Sequence, residues 1–221
     1  MSSAVKESFR EEWFDPDFWG GQAVLITQGG RGAAWFVEGS FGEAVLRHFC
    51  RGGLPGRFIR RSYVFTSVDA VRSFAEFRLL NQLLDEGLPV PEPIAAGYRL
   101  HGPLFYSASL IIRRIPGAKP ISEYVDASSG EIWQAAGACV RRFHNASVNH
   151  ADLNCMNILV ADQIYLIDFD RGRIMPEQAG DGWKESNISR LERSTKKCLG
   201  QLDDKLREQF WQRFMKGYRE D

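Results

Sequence analysis

No stretch of this sequence reaches the ~18 consecutive apolar residues that a membrane-spanning helix needs, so any membrane role is expected at a surface. The N-terminal MSSAVKESFREEW is polar and lacks the apolar core of a secretory leader, and none is expected. Cysteine is sparse and scattered: Cys50, Cys139, Cys155 and Cys198 form no CxxC pair. That argues against a zinc site or dithiol redox centre and for free thiols in a reducing compartment. Net charge is missing too, because 28 basic residues balance 28 acidic ones; no nucleic-acid partner is expected. Repeats and low-complexity tracts are absent. Acid is locally absent between Ala44 and Val68, where Arg47, Arg51, Arg57, Arg60, Arg61 and His48 occur without Asp or Glu. Such a run is either a solvated face or an edge turned toward phosphate or acidic lipid.

What is present is an ordinary globular composition, long enough for one domain or two small lobes. Ala23–Thr27, Ala34–Val37 and Glu43–Phe49 read as strands separated by glycine-bearing turns, an antiparallel pattern. Val71, Phe74, Phe77 and Leu84 lie on one face of a helix that Gly87 ends. Pro89, Pro91 and Pro93 force an extended connector, and the turn His101-Gly102-Pro103 joins two further strands, Tyr98–Leu100 and Leu104–Ile115. Beyond Pro116–Pro120 the pattern becomes helical. Ser128–Glu131 resembles a capping box before a helix bearing Ile132, Ala136, Cys139, Val140 and Phe143. Short strands follow at Ile158–Val160 and Tyr165–Ile167, and a last helix carries Leu206, Phe210, Phe214 and Tyr218. The class is α+β, with a β-rich N-terminal lobe (residues 1–116) and a reduced helical C-terminal lobe (117–221) in a single domain.

The chemistry concentrates in His150-Ala-Asp152-Leu-Asn-Cys-Met-Asn157, the strand Ile158–Val160, and Leu166-Ile-Asp168-Phe-Asp170. Phosphoryl transfer needs one carboxylate to orient the attacking hydroxyl and an acid with an amide oxygen to hold Mg²⁺ against ATP phosphates. The spacing resembles the kinase catalytic and metal-binding loops. That resemblance makes Asp152 the base, Asn157 and Asp168 the metal ligands, and His150 a scaffold residue. Asp170 stands where protein kinases carry the glycine of Asp-Phe-Gly, which argues against large switching of this loop.

Gly29, Gly30 and Gly32, in a turn between strands, either close a hairpin or lay backbone N–H groups over phosphates. No Walker motif occurs, and the strand after the turn disfavours a Rossmann unit. Arg47 occupies the third-strand place where protein kinases put lysine, and Glu76 in the next helix is its natural partner; the alternative is an inconsequential surface pair. Trp13, Phe14, Phe18 and Trp19 are either an interfacial contact or core packing.

Taken together, FDPDFW (14–19), GRGAAWFV (30–37), VLRHFCRGG (45–53), GLPVPEPIAA (87–96), HADLNCMNILV (150–160) and LIDFDRGR (166–173) resemble the lipopolysaccharide kinase family, with NISRLERS (187–194) a looser match. The resemblance covers most of the chain, and Arg47 suits that family although it departs from protein kinases. It implies a protein-kinase-like bilobal fold and ATP-dependent phosphorylation of a 3-deoxy-D-manno-octulosonic acid (Kdo) hydroxyl, the 4-hydroxyl, on a Kdo-containing lipid A precursor. It further implies a cytoplasmic enzyme, peripheral on the anionic inner-membrane surface. A heptose or other small-molecule kinase, and an inactive nucleotide-binding module, remain as alternatives; the short tail after Asp168, without Ala-Pro-Glu, disfavours a protein kinase.

Overall fold

Gly39 and Gly42 set the first hairpin. In the computed structural model, which describes residues 9–26, 34–50, 62–126 and 128–220, β1 (Val24–Leu25), β2 (Ala34–Gly39) and β3 (Gly42–His48) run antiparallel in that order. The β2–β3 register pairs Gly39 with Gly42 across Ser40 and Phe41. Gly42 has φ 85°, a left-handed conformation that a side chain would strain. The sheet continues with β4 (Tyr63–Val64), β5 (Pro93–His101) and β6 (Phe105–Arg113), and α1 (Arg72–Asp85) intervenes in the chain. β6 is the hub: one edge pairs with β3 and then β4, the other with β5. β5 starts at Pro93, where a missing N–H is tolerated, so the strand expected at Tyr98 begins earlier. β1 is shorter than expected, and Thr27 lies outside the described residues.

Trp13 and Trp19 resolve as core, and Phe14 packs against it partly buried. Two 3₁₀ segments, Glu11–Phe14 and Pro16–Gln22, turn Trp13 and Trp19 onto Phe41. Trp13 is 5% exposed and Trp19 8%, so neither offers an interfacial contact; Phe18 remains exposed. Burying such rings contributes roughly 1.5–3 kcal/mol each. Trp19 Nε1 donates to Trp13 O at 3.0 Å, which satisfies the buried indole.

Later elements are β7 (Lys119–Pro120), α2 (Gly130–Asn145), β8 (Val148–Asn149), β9 (Ile158–Val160), β10 (Ile164–Leu166), β11 (Arg173–Ile174), α3 (Gly182–Cys198) and α4 (Asp204–Arg219). β10, β9 and β7 make one small sheet, β11 and β8 another. The expected capping box does not form. Asp126 Oδ1 accepts from both Ser128 Oγ and Ser129 Oγ, so the N-cap Ser129 makes no side-chain cap bond. α2 crosses α4 closely because both carry glycine at the crossing, Gly137 and Gly217. Trp133 stacks on Phe210 at 5.5 Å beside them.

The chain divides into two compact units, drawn from Met1–Gln82 with Pro91–Arg114 and from Leu83–Val90 with Ile115–Asp221. Among the described residues, no helix is long and apolar enough to cross a membrane.

Candidate active site

Between β8 and β9 the second unit holds the loop from His150 to Asn157. Its anchor is His150, 2% exposed. Burial pushes the imidazole pKa down, so the ring is neutral. Its contacts assign the tautomer. Nε2 donates to Ile167 O at 2.9 Å, and Nδ1 accepts from Asp152 N–H at 3.3 Å. The ring also packs on Phe169 at 4.6 Å.

The same scaffold draws in the other two candidates. Asn157 Nδ2 donates to Asp152 O at 3.0 Å, and Ile167 N–H donates to Asn157 O at 3.0 Å. Asp168 follows Ile167 directly, with φ 63°. A left-handed backbone at a non-glycine residue is costly, and such strain persists where the surroundings over-determine it. Arg171 also has positive φ, at 67°, whereas Asp170 does not. The position that holds glycine in protein kinases therefore has no need of one here. Asp152, Asn157 and Asp168 are thus joined through backbone carbonyls, amides and one imidazole.

α3 forms the outer template of this loop. Asn187 Oδ1 accepts from His150 N–H at 3.1 Å, and its Nδ2 donates to Asn149 Oδ1 at 2.9 Å. Arg190 Nη1 donates to Asp152 Oδ1 at 2.9 Å. Ser194 Oγ accepts from Cys155 N–H at 3.1 Å, and Cys155 Sγ lies 3.2 Å from Thr195 Oγ1. Positions 187, 190, 194 and 195 fall on one helical face, which is why one helix reaches the whole loop. Sequence reasoning missed Asn187, Arg190 and Ser194. Their only signal was the loose family match over NISRLERS.

In the first unit, Arg47 on β3 and Glu76 on α1 are paired at 2.5 Å. Glu76 is 4% exposed, and Arg47 also stacks over Phe49 at 4.7 Å. The pair is therefore part-buried, unlike an inconsequential surface bridge. Gly29, Gly30 and Gly32 lie outside the described residues, as do Arg51, Arg57, Arg60 and Arg61.

Comparison with known proteins gives a consistent context. The model of the lipopolysaccharide kinase (Kdo/WaaP) family matches residues 16–218. A 3-deoxy-D-manno-octulosonic acid kinase of Stenotrophomonas maltophilia (strain K279a) is 44% identical over 192 residues, 85% of this chain and 76% of that protein. The enzyme of the same name from Xylella fastidiosa (strain M23) is 44% identical over 191 residues, with the same coverage of both chains. Among solved structures, WaaP in complex with acyl carrier protein superposes with TM-score 0.56 at 14% identity, covering 97% of this chain and 86% of that one. The Rio2 kinase–ADP/Mg²⁺–phosphoaspartate complex from Chaetomium thermophilum gives 0.52 at 14% identity, covering 88% and 71%. The α+β, kinase-like fold is thereby shown.

Proposed function

Because the chain belongs to the lipopolysaccharide kinase (Kdo/WaaP) family and is a kinase, we propose that it transfers the γ-phosphoryl group of ATP to a Kdo hydroxyl, the 4-hydroxyl, of a Kdo-containing lipid A precursor. The observation that carries the catalytic reading is the scaffold on which His150 and Asn157 join Asp152 to the strand end bearing Asp168. The acceptor comes from the names of the relatives.

In this mechanism Asp152 orients the acceptor hydroxyl and takes its proton as the O–P bond forms and the bond from the γ-phosphorus to the bridging oxygen of ADP breaks. Asn157 and Asp168 would hold Mg²⁺. The amide nitrogen of Asn157 is committed to Asp152 O, which leaves its oxygen for a metal. A carboxylate and an amide oxygen suit a hard cation that takes its other ligands from phosphate and water. When bound, the ion neutralises charge on the phosphates. Arg47, fixed by Glu76, gives the triphosphate a forked cation, and the turn of Gly29, Gly30 and Gly32 adds backbone N–H groups. We read the two units as the lobes of one kinase domain. We also assign the enzyme to the cytoplasmic face of the inner membrane, held there by the arginine-rich stretch, since Trp13 and Trp19 are unavailable.

The test is label transfer from γ-labelled ATP with Mg²⁺ to lipid A precursor with and without Kdo. Label on the Kdo-bearing acceptor alone is expected. Equal labelling of both acceptors, or transfer to a heptose acceptor instead, contradicts the assignment.

A further inference from the structure

The loop His150–Asn157 contains no lysine or arginine, yet Asp152 has a cation at hand. Arg190 supplies it from α3, at 2.9 Å. The two side chains are 49% and 56% exposed, so the pair is worth little to stability and its place in the fold needs another reason. A guanidinium carries five N–H donors in a planar fork. Nη1 serves Asp152 Oδ1, which leaves donors on a half-exposed group beside the candidate base, and leaves Oδ2 of Asp152 for a hydroxyl proton. The neighbours of Arg190 on the same helical face, Asn187 and Ser194, hold the loop backbone, so the guanidinium meets a fixed partner.

An acceptor that is an acidic sugar brings its own carboxylate toward the carboxylate of Asp152. Like charges in one site repel, and a forked cation between them removes that penalty while fixing the orientation of both. We propose that Arg190 is an acceptor-reading residue: while it holds Asp152, its remaining N–H groups bind the carboxylate of the sugar and so bring the neighbouring hydroxyl to the base. This rests on the Kdo reading above. It names a substrate contact, on a helix outside the catalytic loop.

The experiment compares wild type, Arg190→Gln and Arg190→Lys on Kdo–lipid A precursor and on the same precursor with the Kdo carboxyl reduced to an alcohol. Arg190→Gln should raise the acceptor KM about 10- to 100-fold, the range of a lost charged hydrogen bond. The ATP KM should stay within about twofold, because only acceptor contacts change. Wild type should lose a similar factor on the reduced acceptor, and the variant should lose little more on it. Arg190→Lys should recover part of the loss, since it keeps the charge without the fork. Equal losses by Arg190→Gln on both acceptors, or an effect confined to ATP, overturn the role of Arg190 and leave the Kdo reading standing. No transfer by wild type to the unreduced precursor overturns both.

Discussion

His150 Nε2 stands 2.9 Å from the carbonyl oxygen of Ile167, and this contact ties the loop of Asp152 to the strand end that carries Asp168. An alanine at 150 removes that bond, the acceptor for Asp152 N–H and the packing on Phe169. Small displacements of reacting groups are expensive, so His150→Ala should lower kcat roughly 10- to 100-fold. Steady-state kinetics check this; full kcat in a folded variant would show that Asn157 and the α3 contacts of Asn187, Arg190 and Ser194 hold the loop without His150.

Arg47 and Glu76 should behave as a unit. Removing Arg47 takes this 2.5 Å bridge away from the carboxylate of Glu76, which is 3% exposed in its side chain. Arg47→Ala should therefore cost about 3 kcal/mol of stability and most nucleotide affinity. Arg47→Lys should keep part of both, and adding Glu76→Gln to Arg47→Ala should restore stability but not affinity. Urea midpoints and the ATP KM separate these outcomes; wild-type values in all three variants would make the pair irrelevant.

β1, β2, β3, β5, β6, β9, β10 and three of the longer helices were legible because their apolar residues recur at strand or helix spacing, whereas the two-residue strands β4, β7, β8 and β11 are too short to show a pattern. α3 was not legible either. Its inward face is Asn187, Thr195 and the single apolar Leu191, so hydrophobic periodicity has almost nothing to register. The candidate catalytic loop stood out for the opposite reason: Asp152, Asn157 and Asp168 are close in sequence and in a distinctive order, and the structure joins them through His150, Ile167 and Asn157. Arg190 reaches Asp152 from 38 residues away, and no local pattern announces such a contact. The capping box failed because Asp126, just upstream, competed for the serine hydroxyls.

Acid should weaken the second unit through His144. This ring is 3% exposed, and burial lowers its pKa from the ordinary 6.5 to about 4. Nδ1 meets Tyr218 Oη at 2.7 Å. The unfolded imidazole takes a proton in the interval between these values and the folded one does not. The contribution is thus present above pH 6.5 and lost as pH falls toward 4. The loss approaches roughly 3 kcal/mol. His144→Gln should flatten the fall of urea midpoint over that interval, leaving the slope due to His150, whose pKa is also lowered by burial. An unchanged slope would rule out His144 as the source.

Glycine is required where α2 meets α4. A Cβ at Gly137 would lie 1.9 Å from Phe214 O, and one at Gly217 would lie 1.9 Å from Gln134 O. Both obstacles are backbone, so the helices must separate. Gly137→Ala and Gly217→Ala should each cost about 2–3 kcal/mol, visible in thermal melting. Gly182→Ala, where a Cβ meets nothing within 4 Å, is the control and should melt like wild type. Near-neutral changes at 137 and 217 would refute the close crossing.

Mass spectrometry of Kdo–lipid A precursor, after incubation with ATP and Mg²⁺ and either wild type or Asp152→Asn, decides the central claim. Wild type should add one phosphate, located by fragmentation on the Kdo 4-hydroxyl. Asp152→Asn should bind nucleotide normally and add almost none. Phosphate placed on another sugar, or undiminished transfer by Asp152→Asn, would contradict it.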